Sequence, residues 1–392
     1  MTASPHDVVI VGGGLHGLST AYHLLIREPS LRLAVVERDP AWTHAASARS
    51  WAGVRVLFSQ EENVAMSQYG HAFYRDFPAA MAVGDAPAPL DIRRQGYLFL
   101  AASAEEASDI EANFELQSRL GCDVSLLDPA ALAARFPSLR QDDLRLAVWS
   151  PGDGWIDPNG ALQGLRRKVR ALGADLIQGD VVGLEQAGGR VTAVQLAEGR
   201  RLPADWVVGN VGAWGAELAA MLGVDIPVRP LQRITYYFEA ATPIEPLPLT
   251  LDGQPLGFRP EGRGFITGVT EYTRDFGFDW SADESYFEAI NWPRLAHRVP
   301  AFEAIRLKSA WACHYAYNTF DGNMLIGAWP GAPANFLMAT GFSGHGLQHA
   351  PAAGRALAEL ILDGRFTSID LERFHCRRVP EGRREPERGV TA

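Results

Sequence analysis

The feature that most constrains this chain lies close to its start. Gly12, Gly14 and Gly17 stand in the order G-x-G-x-x-G between an apolar run, Asp7 to Val11, and a stretch from Leu15 to Ile26 with apolar residues at helical spacing. That is a strand, a tight turn and a helix. The first glycine permits the turn, the second lets a pyrophosphate approach the backbone, and the third lets the helix pack on the strand. The helix start then faces the anion with open N–H groups and the positive end of its dipole. A second strand, Leu33 to Val36, leads into Glu37, twenty residues beyond Gly17. A carboxylate there accepts hydrogen bonds from an adenosine ribose and repels a 2′-phosphate. The pattern predicts a dinucleotide site that suits FAD or NAD and not NADP.

The rest of the chain supplies further strand-and-helix units. Helical spacing recurs over Ser59 to Arg75 and Ala104 to Leu120, with a strand expected from Ile92 to Leu100 between them. Asn159 to Leu172 reads as an amphipathic helix. Val181 to Glu185 and Val191 to Leu196 read as a hairpin turning at Gly188 and Gly189. Asp205 to Val208 is a strand running into a second glycine-bearing turn, and Pro227 to Glu239 and Gly264 to Val269 are strands of another sheet. A last unit comprises the strand Phe336 to Ala339, a glycine-rich turn and the helix Leu347 to Leu362. Units of the nucleotide-binding type therefore sit at both ends and in the middle, which implies a discontinuous cofactor domain.

Composition narrows the partners. The formal charge of -10 and the lack of a dense basic run argue against nucleic acid. No apolar run approaches the roughly 18 residues needed to cross a bilayer, and the lead from Met1 to Asp7 lacks a signal-peptide pattern. The expectation is a cytoplasmic protein. Cys122, Cys313 and Cys376 are odd in number and unpaired in spacing, so neither a disulfide framework nor a metal site is expected. Lys168 and Lys308 are the only lysines.

The turn Gly341-Phe342-Ser343-Gly344-His345-Gly346 lies between an apolar strand and an apolar helix, so backbone N–H groups and a helix dipole converge on one point. Such a turn stabilises a buried anion, for instance the N1 and C2 carbonyl region of a reduced flavin, with His345 adding a donor. The alternative is an ordinary helix entry with a satisfied histidine.

With Gly12, Gly14, Gly17 and Glu37, the run GFSGHGLQHAP resembles the D-amino-acid oxidase superfamily, in particular its sarcosine and glycine oxidase branch, over nearly the whole chain. In the last third, Trp311, YNTFDGN, GFSGHGLQHAP and GRFTSID resemble the FAD-dependent oxidoreductase domain-containing proteins, whose mitochondrial members assist respiratory complex I assembly. The resemblance implies FAD and an α/β plus α+β fold. A Rossmann-type FAD-binding domain would comprise residues 1–55, 142–217 and 322–376. A second, mixed or antiparallel-sheet substrate domain would comprise 56–141 and 218–321, followed by a mobile tail, 377–392. It implies hydride transfer from a carbon bearing nitrogen, in a small amine or amino acid, to flavin N5. By motif, Gly12, Gly14, Gly17 and Glu37 would hold the ADP half, Arg38 would also contact the cofactor, Ser47 and Arg49 would lie beside the flavin, and Val181 would pack near the adenine. Gly212 and Trp214 would form the second glycine turn, and Gly344, His345, Gly346, Leu347 and Gln348 would line the pyrimidine edge.

In monomeric sarcosine oxidases a cysteine beside the flavin forms a thioether to its 8-methyl group. Cys313-His314-Tyr315-Ala316-Tyr317, leading to Asp321, resembles that arrangement with a loop one residue longer, so a covalent link through Cys313 is an expectation beside that of an inert buried thiol. Arg55 is the candidate clamp for a substrate carboxylate, against a surface arginine; His314, Tyr315 and Tyr317 are candidate walls of the substrate site, against packing in a core strand. Gln348 and Ile266 replace two lysines of the sarcosine oxidases, one binding carboxylate and one assisting reduction of O2. The electron acceptor is therefore O2 or another carrier. Rival readings are an FAD-binding assembly factor or subunit of a larger dehydrogenase with a partner subunit, an FAD-dependent 2-hydroxy acid dehydrogenase, and an NAD-dependent dehydrogenase.

Overall fold

The structure is a computed structural model that describes residues 5–253, 255–269 and 276–389. Its first sheet grows from the strand His6–Val11, buried at all but one position. The apolar residues on both faces suit a strand covered on each side, as parallel strands require. Leu33–Glu37 and Arg201–Gly209 pair parallel to it on either side, Asp175–Gln178 extends one edge, and Phe336–Thr340 pairs with Arg201–Gly209. The expected hairpin, Val181–Ala187 with Arg190–Leu196, joins this sheet antiparallel and turns at Gly188 and Gly189, both of positive φ.

The helices Leu15–Arg27, Glu61–Ala80 and Gly346–Leu362 pack together. Their approach is close: a Cβ on Gly70 would lie 2.4 Å from the carbonyl oxygen of Gln348. Apolar residues of the first strand, the first helix and the last helix fill one core, including Ile10, Leu24, Ala353 and Leu357.

The second sheet runs in the order Ile305–Asn318, Val228–Ala240, Gly264–Gly268, Leu256–Glu261, Leu249–Asp252, Tyr97–Ala101, Leu146–Ser150 and Ser125–Leu127. Its pairs are antiparallel except that of Leu249–Asp252 with Tyr97–Ala101. Its core is aromatic, with Phe238, Phe258 and Phe302 fully buried. A small sheet of Gly53–Val54, Gly154–Ile156 and Ile92–Arg93 lies beside it in sequence.

Two expectations are corrected. The single strand expected over Ile92 to Leu100 is divided, Ile92–Arg93 in the small sheet and Tyr97–Ala101 in the large one, with Gly96 at φ +87 between them. The tail is not free over residues 377–389. Arg378 is fully buried against Asp321, and Glu385 and Glu387 are hydrogen-bonded to the body. Residues 390–392 lie outside the described residues. No helix of the described residues is long and apolar enough to cross a membrane.

Candidate active site

The two glycine turns meet at one cleft of about 430 Å³. Gly12 and Gly14 from the first turn line it, as do Gly344, Gly346 and Leu347 from the last. Both long helices that start there, Leu15–Arg27 and Gly346–Leu362, begin without a side-chain cap. By contrast, Ser103, Asp128 and Asp157 cap helices elsewhere through their own side chains. Uncapped first-turn N–H groups facing a shared cleft are an anion-binding arrangement. Gly17 stands outside the cleft: a Cβ there would lie 1.8 Å from the carbonyl oxygen of Gly12, so this glycine is required for packing helix against turn.

Glu37 closes the far end of the cleft. Its carboxylate accepts from the N–H groups of Gly13 at 2.8 Å and Asp39 at 2.9 Å. Burial raises its carboxyl above the usual range, and those two backbone donors oppose the shift. Arg38 stacks on the Trp214 ring at 3.9 Å, and Ser47, Val181, Gly212 and Trp214 complete this part of the lining. The sequence reading did not single out Trp42, His44, Trp280 or His16, which also line the cleft. Trp42 donates to the Gly13 carbonyl at 3.0 Å. Burial pushes the His16 imidazole down to about 4.

Among the described residues three non-glycine residues have positive φ: Trp42 at 55°, Ala52 at 55° and Ser343 at 47°. Trp42 and Ser343 line the cleft, and Ala52 precedes the strand that delivers Arg55. Such conformations persist only where surrounding bonds enforce them. At Ser343 the hydroxyl donates to the Gly341 carbonyl and accepts from the Asn318 N–H, and the Ser343 N–H binds the Ala316 carbonyl.

One residue beyond Leu347 the chemistry changes. Gln348 turns from the cleft lining and accepts from the Arg55 N–H at 2.7 Å. Arg55 is only 6% exposed. Its guanidinium sits amid the rings of Phe58, Phe99 and Tyr97, 4.9 to 5.5 Å from their centroids. Among the described residues its Nε and Nη2 have no hydrogen-bond partner. His345 lies edge-on to Phe58, and among the described residues neither of its ring nitrogens has a hydrogen-bond partner. Burial holds it well below its ordinary value, and the Arg55 charge adds to that. His349 is pushed down to about 3 for the same two reasons in the same order. The Glu387 carboxylate acts on this cation and the two histidines beside it are neutral, so what the guanidinium lacks among the described residues is acceptors for Nε and Nη2, which a bound carboxylate would supply.

The strand Ile305–Asn318 divides its candidates. Tyr315 lines the cleft. His314 does not: its Nε2 accepts from the Asp279 N–H at 3.0 Å, and its ring packs on Trp280 and Phe278. Tyr317 stacks on Phe276. Cys313 is buried outside the lining, with its thiol pushed up to about 11 by burial, against the pull of the Arg233 and Arg49 charges. Arg49 ties two segments together, donating to the carbonyls of Thr43 at 2.6 Å and Ala312 at 2.8 Å.

A protein-family model described as FAD dependent oxidoreductase matches residues 7–360. The chain belongs to this family. It is 37% identical to FAD-dependent oxidoreductase domain-containing protein 1 of Bos taurus, over 97% of this chain and 86% of the relative. To the mitochondrial sarcosine dehydrogenase of Mus musculus it is 26% identical, over 95% of this chain and 42% of that longer protein. Among solved structures, L-proline dehydrogenase from P. horikoshii superposes with a TM-score of 0.85 at 24% identity, covering 97% of this chain and all of that one.

The protein is thus an FAD-dependent oxidoreductase, and its residues fit the cofactor. The cleft joins two uncapped helix starts to a carboxylate at the far end of the second strand, the donor and acceptor set that a pyrophosphate, a flavin edge and a ribose require.

Proposed function

We propose that this flavoprotein oxidises the carbon–nitrogen bond of a small amino acid to an imine, the substrate being held by its carboxylate on Arg55. The observation that carries the reading is the buried guanidinium whose Nε and Nη2 have no hydrogen-bond partner among the described residues, adjoining the helix start that lines the cleft. A bidentate carboxylate supplies the missing acceptors and neutralises the charge. Sarcosine dehydrogenase and monomeric sarcosine oxidase, two relatives over most of this chain, are named for such a substrate.

Bound FAD supplies a two-electron acceptor for the hydride leaving the carbon that bears nitrogen. The chain's own part is orientation and charge. Arg55 fixes one end of the substrate, and Phe58, Tyr97 and Phe99 exclude water around it. The first turn of Gly346–Leu362 offers N–H groups where negative charge develops. His345 and His349 stay neutral and take up no proton at physiological pH, so the substrate ammonium gives its proton to solvent and the free lone pair then assists departure of the hydride. We propose the roles given to Gly12, Gly14, Glu37, Arg38, Ser47, Val181, Gly212, Trp214, Gly344, Gly346 and Leu347 in holding FAD, on their placement around the cleft. For Cys313 we propose no covalent link: a protonated thiol outside the lining is a poor nucleophile.

Neither lysine stands at the site: Lys168 donates to the Ala82 carbonyl and Lys308 pairs with Glu239. Ile266 is buried within its strand. This supports an electron acceptor other than O2, in the manner of a dehydrogenase.

The deciding experiment is anaerobic bleaching of the bound flavin. Sarcosine, proline, glycine and D- and L-amino acids are expected to include at least one that bleaches it, with slow return of colour in air. Bleaching by 2-hydroxy acids and by no amine would replace this reading with hydroxy-acid oxidation.

A further inference from the structure

Arg55 and Phe58 stand on the segment that joins the strand Gly53–Val54 to the helix Glu61–Ala80. Its first half is held by the body of the protein: the Arg55 N–H donates to Gln348 and the Val56 N–H to Asp153 at 3.0 Å. Its second half is held chiefly by the far end of the chain. The N–H and the hydroxyl of Ser59 both donate to the Glu387 carboxylate at 2.6 Å, and Asn63 donates to its other oxygen. Neighbours of Glu387 add to the grip: Gln60 donates to the Pro386 carbonyl at 3.1 Å, and the Arg388 N–H to the Ser59 hydroxyl at 2.9 Å.

The tail is itself anchored. The Glu385 N–H binds Asp321 at 2.8 Å, its carbonyl accepts from Asn323 at 3.0 Å, and its carboxylate pairs with Arg373 at 2.8 Å. Glu387 is therefore placed from outside the segment it holds. The helix Glu61–Ala80 has no side-chain cap from its own Gln60, and this borrowed carboxylate stands at its entry.

Phe58 links this brace to the site. Its ring lies 4.9 Å from the Arg55 guanidinium, 5.0 Å from His345 and 5.1 Å from His349, and its carbonyl accepts from Gln117 at 2.9 Å. Ser59 follows Phe58 in the chain, so the hold on Ser59 bears on the ring that touches both Arg55 and His345.

We propose that Glu387 is a positioning residue for the substrate-carboxylate site, holding Ser59 and Asn63 so that Phe58 and Arg55 keep their binding geometry. This rests on the reading of Arg55 as the carboxylate clamp. Glu387 touches neither substrate nor cofactor; its charge also acts on Arg55 and by itself opposes a bound anion, so weaker benzoate binding on its removal reports the segment it fixes and not that charge. Small displacements of a positioned group change binding steeply, whereas a tail contributing only general stability would alter unfolding and leave affinity for carboxylates intact.

The test uses the full-length holoprotein, titrated with benzoate and with benzamide, its uncharged counterpart, and followed by the flavin absorption spectrum. E387A is expected to weaken benzoate binding by about tenfold, with FAD content and benzamide response unchanged. E387Q keeps one acceptor for Ser59 and is expected to recover part of the loss. Benzoate affinity equal to wild type in E387A overturns the proposal, as does an equal loss for benzoate and benzamide. Should E387A fail to retain FAD, S59A, which removes a single donor, serves the same comparison: reduced benzoate affinity supports the brace and wild-type affinity overturns it. R55A separates the two ideas. Benzoate lost in R55A but not in E387A removes the role of the tail alone, and benzoate retained in R55A removes the clamp on which it rests.

Discussion

The two ends of the site are built on opposite plans. At the end where we propose that FAD binds, the groups on offer are backbone N–H groups, presented by two glycine turns whose residues are adjacent in sequence. At the Arg55 end they are side chains gathered from the segment after Gly53–Val54, the strand Tyr97–Ala101, the helix Gly346–Leu362 and the C-terminal tail. The first plan tolerates any side chain that keeps the turn, because its donors are present in every residue except proline. The second depends on every member, because a buried guanidinium is stable only while the groups around it stay in place.

The sharpest way to break this contrast is Gly17→Val. With a Cβ placed 1.8 Å from the Gly12 carbonyl, the first turn must move, and we expect complete loss of bound FAD. Flavin absorbance per mole of chain measures it; a yellow G17V protein at full stoichiometry would show that the turn is not held by backbone packing.

Acid should produce the next largest effect. His16 and His23 are held neutral to about 4 and His349 to about 3, while the same groups in the unfolded chain take up protons near 6.5. Between those values the unfolded chain binds more protons than the folded one. Stability from these histidines is therefore complete above pH 6.5 and is lost progressively as the pH falls toward 4. Each unit of difference corresponds to about 1.4 kcal/mol. Thermal unfolding across this range should show a falling midpoint, and H349N should flatten the slope.

Arg55→Ala comes third, raising KM for an amino-acid substrate by about 100-fold, close to 3 kcal/mol for a charge-assisted pair. FAD content should not change, which would sharpen the separation of the two ends; parallel loss of flavin would blur it. The smallest effect is expected for Cys313→Ala, with unaltered colour and with flavin released from both proteins by acid precipitation. Colour that stays with the wild-type precipitate and leaves with C313A would establish the thioether.

How much of this was legible follows the same division. Gly12, Gly14, Gly17 and Glu37 could be read directly because strand, turn and helix are contiguous, and the hairpin at Gly188 and Gly189 because its pairing is local. His345 was legible as part of the last turn but not in its orientation: it is absent from the cleft lining and packs on Phe58, hundreds of residues away in the chain. His314, expected as a wall of the substrate site, accepts from the Asp279 N–H through Nε2 and is shielded by Trp280, neither of which periodicity could place. The charged, proline-bearing tail reads as mobile because composition registers charge and not its partners. Arg378 finds Asp321 57 residues away, and Glu387 finds Ser59 across 328.

By itself the sequence determined the class of the molecule: a strand, a glycine turn and a carboxylate at the end of the next strand specify an anion site made of backbone, and backbone geometry is a local property. Tertiary structure alone decided that Arg55 would be buried with no partner for Nε and Nη2 among the described residues, that the histidines beside it would be neutral, and that the tail would hydrogen-bond the segment carrying it. Burial and desolvation are set by what surrounds a group in space, and for these residues the surroundings come from parts of the chain that meet only when it folds.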